Sequence, residues 1–324
     1  MKIYGTLGPA CSDRAVLAGM IKAGMNGIRL NLSHGMLNSF EKPLEELKAA
    51  EQLCKAKVEI VIDMEGPELR VGDIPRTLEL EAGQRVILGR EIPLKDIVIR
   101  QLEAGMLCRL DDGNIELEIL DAVSGGFACR VLRGGVLLPR KSFAVIGKKL
   151  SVPLLTDNDA ENLKLAKELN VASVLQPFVR CADDVYSVKD ELVQIGCSDI
   201  EVIAKIEDPE GLCNADEIIA AADKVLFARG DLGNCMDMWL LPEHQKQIAK
   251  KCLDGGKSLI IATQLLASME KNPVPTRAEM NDIYNCVLDG ADGLMLTGET
   301  AAGKYPVEAI RYLTKAAERG IINR

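Results

Sequence analysis

The chain has 324 residues, a 48% apolar fraction, only 3% aromatic residues and a formal net charge of −9. This length suits two domains or one large α/β barrel with an insertion, and the acidic balance excludes the basic surface that nucleic-acid binding needs. The sequence contains no run of 18 apolar residues, so we expect no membrane span.

Short apolar runs alternate with amphipathic segments along most of the chain. The predicted strands are residues 3–7, 27–32, 58–63, 172–175, 201–206, 225–228, 258–262 and 293–296. The segments between them have helical spacing, with N-caps expected at Ser12, Asp157 and Thr276. Continuous apolar strands followed by helices predict an α/β fold with a parallel sheet, and eight repeats favour a closed (β/α)8 TIM barrel.

Residues from about 71 to 152 interrupt this alternation. Helical spacing is lost there, and the steps Asp112-Gly113, Gly125-Gly126 and Gly134-Gly135 are typical of β-hairpins. We therefore expect a small inserted β-barrel domain, residues 72–151, after the third strand of a catalytic barrel formed by residues 1–71 and 152–324. A domain inserted at that end of the barrel can serve as a lid over an active site.

Two carboxylates follow neighbouring predicted strands. Glu207 ends the string Ala-Lys-Ile-Glu, and Asp231 ends the string Ala-Arg-Gly-Asp 24 residues later. This spacing matches one strand–helix–strand unit, so both acids should emerge side by side at one end of the sheet. Two carboxylates beside Lys205 and Arg229 suit a hard divalent cation and an anionic substrate.

Charged and hydroxyl side chains follow nearly every predicted strand, where the active site of such a barrel lies. They are Arg29, Asn31, Ser33, His34, Asp63, Glu65, Glu68, Arg70, Gln176, Arg180, Lys205, Glu207, Arg229, Asp231, Thr263, Gln264, Thr297 and Glu299. Structural roles stay open for several of them. Arg29 could serve merely to pair with Asp63 and close the barrel, and Glu207 and Asp231 could cap helices. Lys205 could form a structural ion pair, and His34 could pack within its loop.

Ten cysteines stand singly along the chain, and none forms a Cys-x-x-Cys pair. Zinc ribbons and dithiol redox sites usually need such pairs. Scattered cysteines are typical of small buried side chains in a reducing compartment, so we expect a cytoplasmic protein.

Seven motifs, in order along the chain, resemble the pyruvate kinase family. They occupy residues 28–35 (Ile-Arg-Leu-Asn-Leu-Ser-His-Gly), 63–70 (Asp-Met-Glu-Gly-Pro-Glu-Leu-Arg), 205–207, 228–233, 262–269, 275–279 and 296–300. The resemblance runs from Lys2 to about Arg319. It implies a glycolytic kinase that transfers a phosphoryl group from phosphoenolpyruvate to ADP, giving pyruvate and ATP.

The same resemblance implies the cofactors and the residue that supports transfer. Glu207 and Asp231 would hold Mg2+ or Mn2+, and Lys205 would neutralise charge on the transferred phosphoryl group. A K+ ion would be held by Asn31, Ser33, Asp63 and the Met64 carbonyl, with Glu68 matching the potassium-using form of the motif.

The resemblance also implies contacts to the substrates. Arg29 and Arg70 would contact phosphate on the nucleotide side, with His34 near the nucleotide. The backbone N–H groups of Gly230 and Asp231, helped by Thr263, would bind the substrate carboxylate. Thr297 and Glu299 would belong to the relay that protonates the enolate.

Several departures from the family pattern leave other functions open. Met64-Glu65 replaces a usual Thr-Lys, and Pro177 replaces a serine. The family's nucleotide-reaching lysine of the inserted domain is expected near residues 133–135, where this chain has Arg-Gly-Gly instead. Residues 234–239 also replace a usual Val/Ile-Glu-x-Pro run. One alternative is a catalytically impaired sensor or scaffold that still binds phosphoenolpyruvate and metal, and another is a metal-dependent aldolase or lyase acting on pyruvate-like acids.

The resemblance to the family also predicts the domain content and the oligomeric state of the protein. The family's members generally continue into a C-terminal regulatory domain, and we expect that domain and its sugar-phosphate activation to be absent. A homodimer through barrel helices near residues 275–288 stays open.

Overall fold

The computed structural model describes residues 1–67, 69–74, 77–111, 113–148, 150 and 153–324. They form two compact units, Met1–Gly66 with Leu155–Arg324, and Pro67–Leu154. The strands of the described part are β1 Lys2–Thr6, β2 Gly27–Asn31, β3 Glu59–Asp63, β4 Leu78–Leu80, β5 Arg85–Leu88, β6 Leu107–Leu110, β7 Ile115–Val123, β8 Gly126–Arg133, β9 Gly135–Leu137, β10 Phe143–Val145, β11 Val171–Gln176, β12 Glu201–Ile206, β13 Lys224–Ala228, β14 Ser258–Ala262 and β15 Gly293–Met295.

Helices lie between successive strands of the barrel, as the sequence pattern predicts. The helices of the described part are α1 Arg14–Ala23, α2 Glu41–Cys54, α3 Asp96–Ile99, α4 Asp157–Ala166, α5 Ala182–Gln194, α6 Pro209–Cys213, α7 Ala215–Ala221, α8 Arg229–Cys235, α9 Leu241–Asp254, α10 Arg277–Asp289, α11 Gly298–Ala301 and α12 Pro306–Asn323. Short 3-10 turns cover Leu32–His34, Leu37–Phe40, Met238–Leu240 and Ala267–Glu270. Within the described residues, none of these helices has the length and apolar character needed to cross a bilayer.

The first unit contains a closed parallel barrel, as predicted. Its strand order is β1-β15-β14-β13-β12-β11-β3-β2, and each neighbouring pair is parallel. Short continuous apolar runs can form these strands because helices bury their outer face while the barrel closes over the inner one. The predicted (β/α)8 fold is confirmed.

The barrel interior positions the polar residues at its ends. Its apolar layer consists of Tyr4, Val61, Leu175, Ile203, Leu226, Ala228, Ile260, Ala262 and Met295. Because side chains alternate along a strand, the residues two positions after Val61 and Ile203 point the same way. Those residues are Asp63 and Lys205, which therefore meet at the carboxyl end of the barrel.

The amino end of the same barrel carries a separate charged network. Glu59 Oε2 lies 2.6 Å from Lys2 Nζ, and Lys224 Nζ lies 3.5 Å from Glu59 Oε1 and 2.5 Å from Glu201 Oε2. Burial alone would raise the pKa of Glu59, but Lys2 and Lys224 outweigh it and hold that pKa below its usual value. Residues at the amino end of a (β/α)8 barrel commonly contribute to the stability of the fold and not to catalysis.

We expect Glu59→Gln to destabilise the fold by about 2 kcal/mol at neutral pH, since hydrogen bonds to charged groups contribute on this scale. The folded-state pKa of Glu59 lies below the ordinary value of a glutamate, so the stabilisation is fully present above that ordinary value and is lost as pH falls through the folded pKa. Urea denaturation at neutral and acid pH measures both effects. Glu46→Gln, which removes a surface partner 2.9 Å from Arg14, is the matched control and should change little. An equal loss for Glu59→Gln at both pH values would contradict this prediction.

The helix starts partly follow the sequence signals. Thr276 caps α10 in a capping box with Glu279, as predicted. The other two predicted N-caps are wrong by one residue, because a neighbour is equally able to accept the helix N–H. Asp13 accepts from Ala15 N at the start of α1, and Thr156 forms a capping box with Asp159 at the start of α4.

The second unit is built from antiparallel strands. A five-stranded sheet has the order β10-β6-β7-β8-β5, and β4 pairs with β9. The predicted hairpin at Gly125-Gly126 connects β7 to β8, and Gly125 adopts a left-handed φ of 81°. The predicted hairpin at Gly134-Gly135 is wrong, because β9 leaves β8 and pairs with β4. Asp112 lies outside the described residues, and the lid role of this unit stays a prediction.

The cysteines of the described part are free. Six of them are buried: Cys11, Cys108, Cys129, Cys197, Cys252 and Cys286. Burial raises the pKa of the Cys108 and Cys252 thiols to about 12, so these groups stay protonated and unreactive. For these six positions, the interpretation as packed side chains agrees with the structure.

Candidate active site

A buried ion-pair network stands at the carboxyl end of the barrel. Lys205 Nζ lies 3.2 Å and 3.4 Å from the two oxygens of Asp63. Arg29 reaches the same carboxylate with Nε at 2.8 Å and Nη2 at 2.6 Å, while its Nη1 donates to Thr6 Oγ1 at 3.2 Å. Asp63 thus fixes two basic side chains from β2 and β12 around one point.

The network holds Asp63 and Lys205 in their charged forms. Burial alone would raise the pKa of Asp63, but Lys205 and then Arg29 outweigh it and keep that pKa below its usual value. Burial would likewise lower the pKa of Lys205, but the nearby carboxylates of Asp63 and Glu207 outweigh it and raise the pKa. The ammonium group therefore remains available to an incoming anion throughout the neutral pH range.

Glu207 is a fully buried carboxylate with one oxygen left without a hydrogen bond. Its Oε1 accepts from the Phe178 N–H at 2.8 Å, and its Oε2 lies 3.3 Å from Lys205 Nζ. Within the described residues, Oε2 accepts no hydrogen bond. Burial raises the pKa of Glu207 to about 8, opposed by Lys205 and assisted by Asp231 and Asp63. Such a group gains from a cation placed at its free oxygen.

Asp231 belongs to the same electrostatic site. Its carboxylate is close enough to raise the pKa of both Glu207 and Lys205. Together with Asp63, this gives three carboxyl groups beside two basic side chains, so carboxyl groups are in excess at the site. No group of three metal-ligating side chains occurs within the described part of the chain. Mg2+ commonly takes only one or two protein carboxylates, completing its shell with substrate oxygens and water.

The oxygen-bearing residues predicted to hold K+ lie along β2 and β3. The strand register places Asn31 opposite Asp63. Asn31 caps the turn Leu32–His34, where its Oδ1 accepts from the Ser33 N–H at 3.2 Å. Met64 follows β3 directly and donates its N–H to Leu175 O at 3.1 Å. These donors are oxygens, which hard cations prefer.

A buried carboxylate, Asp159, fixes the loop after β3. It accepts from the N–H groups of Glu65 and Gly66 at 2.8 Å and 2.9 Å while also completing the Thr156 capping box. Glu65 Oε2 accepts from Asn158 Nδ2 at 3.1 Å. Gly66 has a φ of 61°, and a Cβ there would lie 2.2 Å from Pro177 Cγ. Glu65 and Pro177, two of the positions that depart from the family pattern, therefore both help to shape this loop.

Thr263 is held in a strained conformation at the end of β14. Its φ is 71° and that of Gln264 is 54°, which is unusual for any residue other than glycine and costs about 1–3 kcal/mol each. Thr263 Oγ1 accepts from the Gly230 N–H at 2.8 Å. The carbonyl of Thr263 accepts from Arg229 Nε and Nη2 at 3.1 Å and 2.7 Å. This N–H of Gly230 is therefore already directed to the threonine.

Glu299 is a buried carboxylate bonded to its own loop. It accepts from the N–H groups of Leu266 and Thr297 at 3.1 Å and 2.8 Å, and from Thr297 Oγ1 at 3.3 Å. It thereby links the turn after β15 to the segment after β14. In this arrangement Glu299 orients Thr297, whose hydroxyl lies at the carboxyl end of the barrel.

The remaining predicted residues are placed as follows. Arg70 belongs to the second unit, where its Nη1 donates to the Arg140 carbonyl at 2.9 Å. His34 ends the turn Leu32–His34, and its side chain lies outside the described part of the structure. Glu68 also lies outside the described residues.

Sequence reasoning missed three contributors. The Phe178 N–H binds Glu207 because Phe178 adopts a φ of 51°, and a backbone amide leaves no signal in the residue type. Thr6 was overlooked at the end of β1, although a hydroxyl at a strand end fits the pattern used elsewhere. Arg229 was noticed at its strand end without its partner, Asp282, which lies within α10.

The fold and site define a class: a (β/α)8-barrel protein with buried carboxyl groups and basic side chains gathered at the carboxyl end of its strands, where the active sites of such barrels lie. A family model described as the pyruvate kinase barrel domain matches residues 1–310. The chain is 38% identical over 323 residues to a pyruvate kinase of Aeropyrum pernix, covering 98% of this chain and 70% of that relative. The chain belongs to the pyruvate kinase family.

Other relatives extend the match across distant organisms. The pyruvate kinase of Geobacillus stearothermophilus is 38% identical over 330 residues, and plastidial pyruvate kinase 3 of Arabidopsis thaliana is 37% identical over 329 residues. Each alignment covers 98% of this chain, but only 56% and 57% of those relatives. The chain thus spans little more than half the length of these two proteins.

Proposed function

We propose that this protein transfers a phosphoryl group from phosphoenolpyruvate to ADP, giving pyruvate and ATP. The observation that supports this most directly is the buried ammonium of Lys205, held 3.2 Å from Asp63 and 3.3 Å from Glu207. Phosphoryl transfer depends mainly on positioned charge that faces the transferred group. Lys205 is charged, almost buried and fixed from two sides, so it meets this requirement before substrate arrives.

We place Mg2+ or Mn2+ on Glu207 and Asp231. The Glu207 Oε2, which accepts no hydrogen bond within the described residues, and the excess of carboxyl groups over basic side chains support this assignment. The ion would supply positive charge that binds substrate oxygens and reduces the repulsion between the anionic substrate and the carboxylates of the site. On the protein side, the Phe178 N–H keeps Glu207 oriented, and Lys205 limits the cost of burying its charge.

We assign K+ to Asn31, Ser33, Asp63 and the Met64 carbonyl. The pairing of Asn31 with Asp63 across β2 and β3 supports this set. Asp63 would then serve a cation while it also orients Arg29 and Lys205.

We assign the substrate contacts to groups on several strand ends. Arg29, Arg70 and His34 would bind the phosphate and nucleotide. The Asp231 N–H and the Thr263 hydroxyl would bind the carboxylate of phosphoenolpyruvate, and Gly230 would contribute through Thr263, because its N–H donates to Thr263 Oγ1. Thr297 and Glu299 would take part in protonating the enolate at carbon, with Glu299 orienting the Thr297 hydroxyl.

A lactate-dehydrogenase-coupled assay tests the proposed reaction. The purified chain, supplied with phosphoenolpyruvate, ADP, Mg2+ and K+, should oxidise NADH, and omission of ADP should stop it. Replacing K+ by Na+ should lower the rate if the potassium assignment is right. Binding of phosphoenolpyruvate without turnover would instead indicate a sensor, and carbon–carbon cleavage of a pyruvate-like acid would indicate a lyase.

We also propose a cytoplasmic homodimer that uses barrel helices near residues 275–288. The exposed side chains of Val274 and Leu288 support this surface. Sedimentation velocity of the chain and of Leu288→Glu tests it, because a dimer through this face should dissociate in the variant. A monomer at all concentrations would overturn the proposal.

A further inference from the structure

A polar chain, buried at Arg229 and partly exposed at Asp282, connects helix α10 to the strained residue of the candidate site. Arg229 Nη1 donates to Asp282 Oδ2 at 2.7 Å, and the other two nitrogens of the same guanidinium, Nε and Nη2, donate to the Thr263 carbonyl. The Arg229 side chain is only 10% exposed. A planar guanidinium offers this fork geometry, which a lysine ammonium lacks. Arg229 therefore joins one residue of α10 to one backbone carbonyl after β14.

Asp282 is itself oriented by a second partner, which binds the carboxylate oxygen that Arg229 does not use. Cys286 Sγ donates to Asp282 Oδ1 at 3.8 Å, and Gln245 Nε2 from α9 donates to Cys286 Sγ at 3.6 Å. Each oxygen of Asp282 thus has its own partner, one on α10 and one on α8. The carboxylate cannot turn without losing one of them.

The receiving end of this chain is the hydroxyl of Thr263. Its oxygen accepts from the Gly230 N–H at 2.8 Å, and within the described residues its proton is donated to no acceptor. A hydroxyl has a single proton, so this proton is free for a ligand. Its direction depends on the left-handed backbone of Thr263, which a β-branched residue adopts only when its surroundings hold it there.

We propose that Arg229 and Asp282 form a positioning clamp that holds Thr263 in its left-handed conformation and so aims its hydroxyl proton at the carboxylate of the substrate. The clamp acts through the Thr263 carbonyl and makes no contact with substrate itself. It rests on the proposed function for the identity of the ligand. The geometry of the clamp is independent of that assignment.

Disrupting the clamp should weaken the use of phosphoenolpyruvate and leave the binding of ADP unchanged. Arg229→Lys and Asp282→Ala release the Thr263 carbonyl, so we expect kcat/KM for phosphoenolpyruvate to fall about 10–100-fold, the scale of small misplacements at a reacting centre. The KM for ADP should stay within experimental error. Asp282→Asn keeps an acceptor for Arg229 and should lose less than Asp282→Ala.

Asp289→Asn is the matched control. Asp289 lies on α10, as Asp282 does, and this change removes its ion pair with Lys246 of α9, which has no link to Thr263. Its kinetic constants for both substrates should equal those of the wild type. Thermal unfolding and sedimentation of every variant separate a positioning effect from loss of fold or assembly.

Calorimetric titration of phosphoenolpyruvate with Mg2+ and no nucleotide completes the test. The clamp is supported if affinity falls in Arg229→Lys and Asp282→Ala, falls less in Asp282→Asn, and holds in Asp289→Asn. It is overturned if the first two variants lose thermal stability but keep wild-type affinity and kinetics, or if both KM values move together. A wild type that binds but shows no turnover refutes the proposed function and leaves the affinities to decide on the clamp. A wild type that does not bind overturns both.

Discussion

Replacing Lys205 by methionine should lower kcat about 10³-fold or more while the protein remains folded, because charge stabilisation of a transferred phosphoryl group is commonly worth that much. Lys205 is the ammonium that Asp63 and Glu207 hold at the carboxyl end of the barrel. Methionine keeps the length of the stem and its packing but removes the charge. The coupled assay measures kcat, and the KM for ADP should change little.

Lys224→Met is the matched control for this change. Lys224 lies on the neighbouring strand β13 with its ammonium paired to Glu59 and Glu201 at the amino end. Its loss should reduce the free energy of unfolding and leave kcat unchanged. Lys205→Arg adds a second comparison, since it keeps the charge and should retain more turnover than Lys205→Met. A fully active Lys205→Met would refute both the role of Lys205 and the proposed reaction chemistry.

Replacing Glu207 by glutamine should weaken Mn2+ binding about 100-fold or more, since even outer-shell partners of metal ligands are worth 10–100-fold. The glutamine carbonyl can still accept from the Phe178 N–H, so the change removes charge and preserves shape. The amide also resembles the protonated carboxyl, which burial already favours at Glu207. The variant should therefore fold normally in the absence of metal.

Electron paramagnetic resonance of free Mn2+ during titration measures this affinity directly. Glu201→Gln is the control on the same strand, because Glu201 binds Lys224 at the other end of the barrel. Its Mn2+ affinity should match that of the wild type. Equal affinity in Glu207→Gln and the wild type would remove the metal assignment while leaving the role of Lys205 to the kinetic test.

The barrel could be predicted because its signals are local. A run such as Glu201–Ile206 is apolar on both faces and ends in charged residues, and this pattern repeats with the period of a βα unit. The exact start of a helix cannot be predicted where two adjacent residues can both cap it. Ser12 competes with Asp13, and Asp157 with Thr156, and only the backbone geometry selects between them.

The supports of the site could not be predicted in the same way. The Phe178 N–H acts through its backbone conformation, which the residue type does not indicate. Asp282 lies in the middle of α10 among ordinary helical residues, so no strand end marks it. Such contributions depend on contacts between residues far apart in sequence. They become visible only when the packing is known.

The apolar layer inside the barrel, which includes Leu175, Ile203 and Leu226, also keeps two charged networks apart. Glu59 and Asp63 stand on one strand with about 13 Å between their backbones, given the rise per residue of a β-strand. Energetic effects of substitutions at such a separation are usually additive. Substitutions at the amino end of the barrel, natural or engineered, can therefore change thermal stability without lowering turnover.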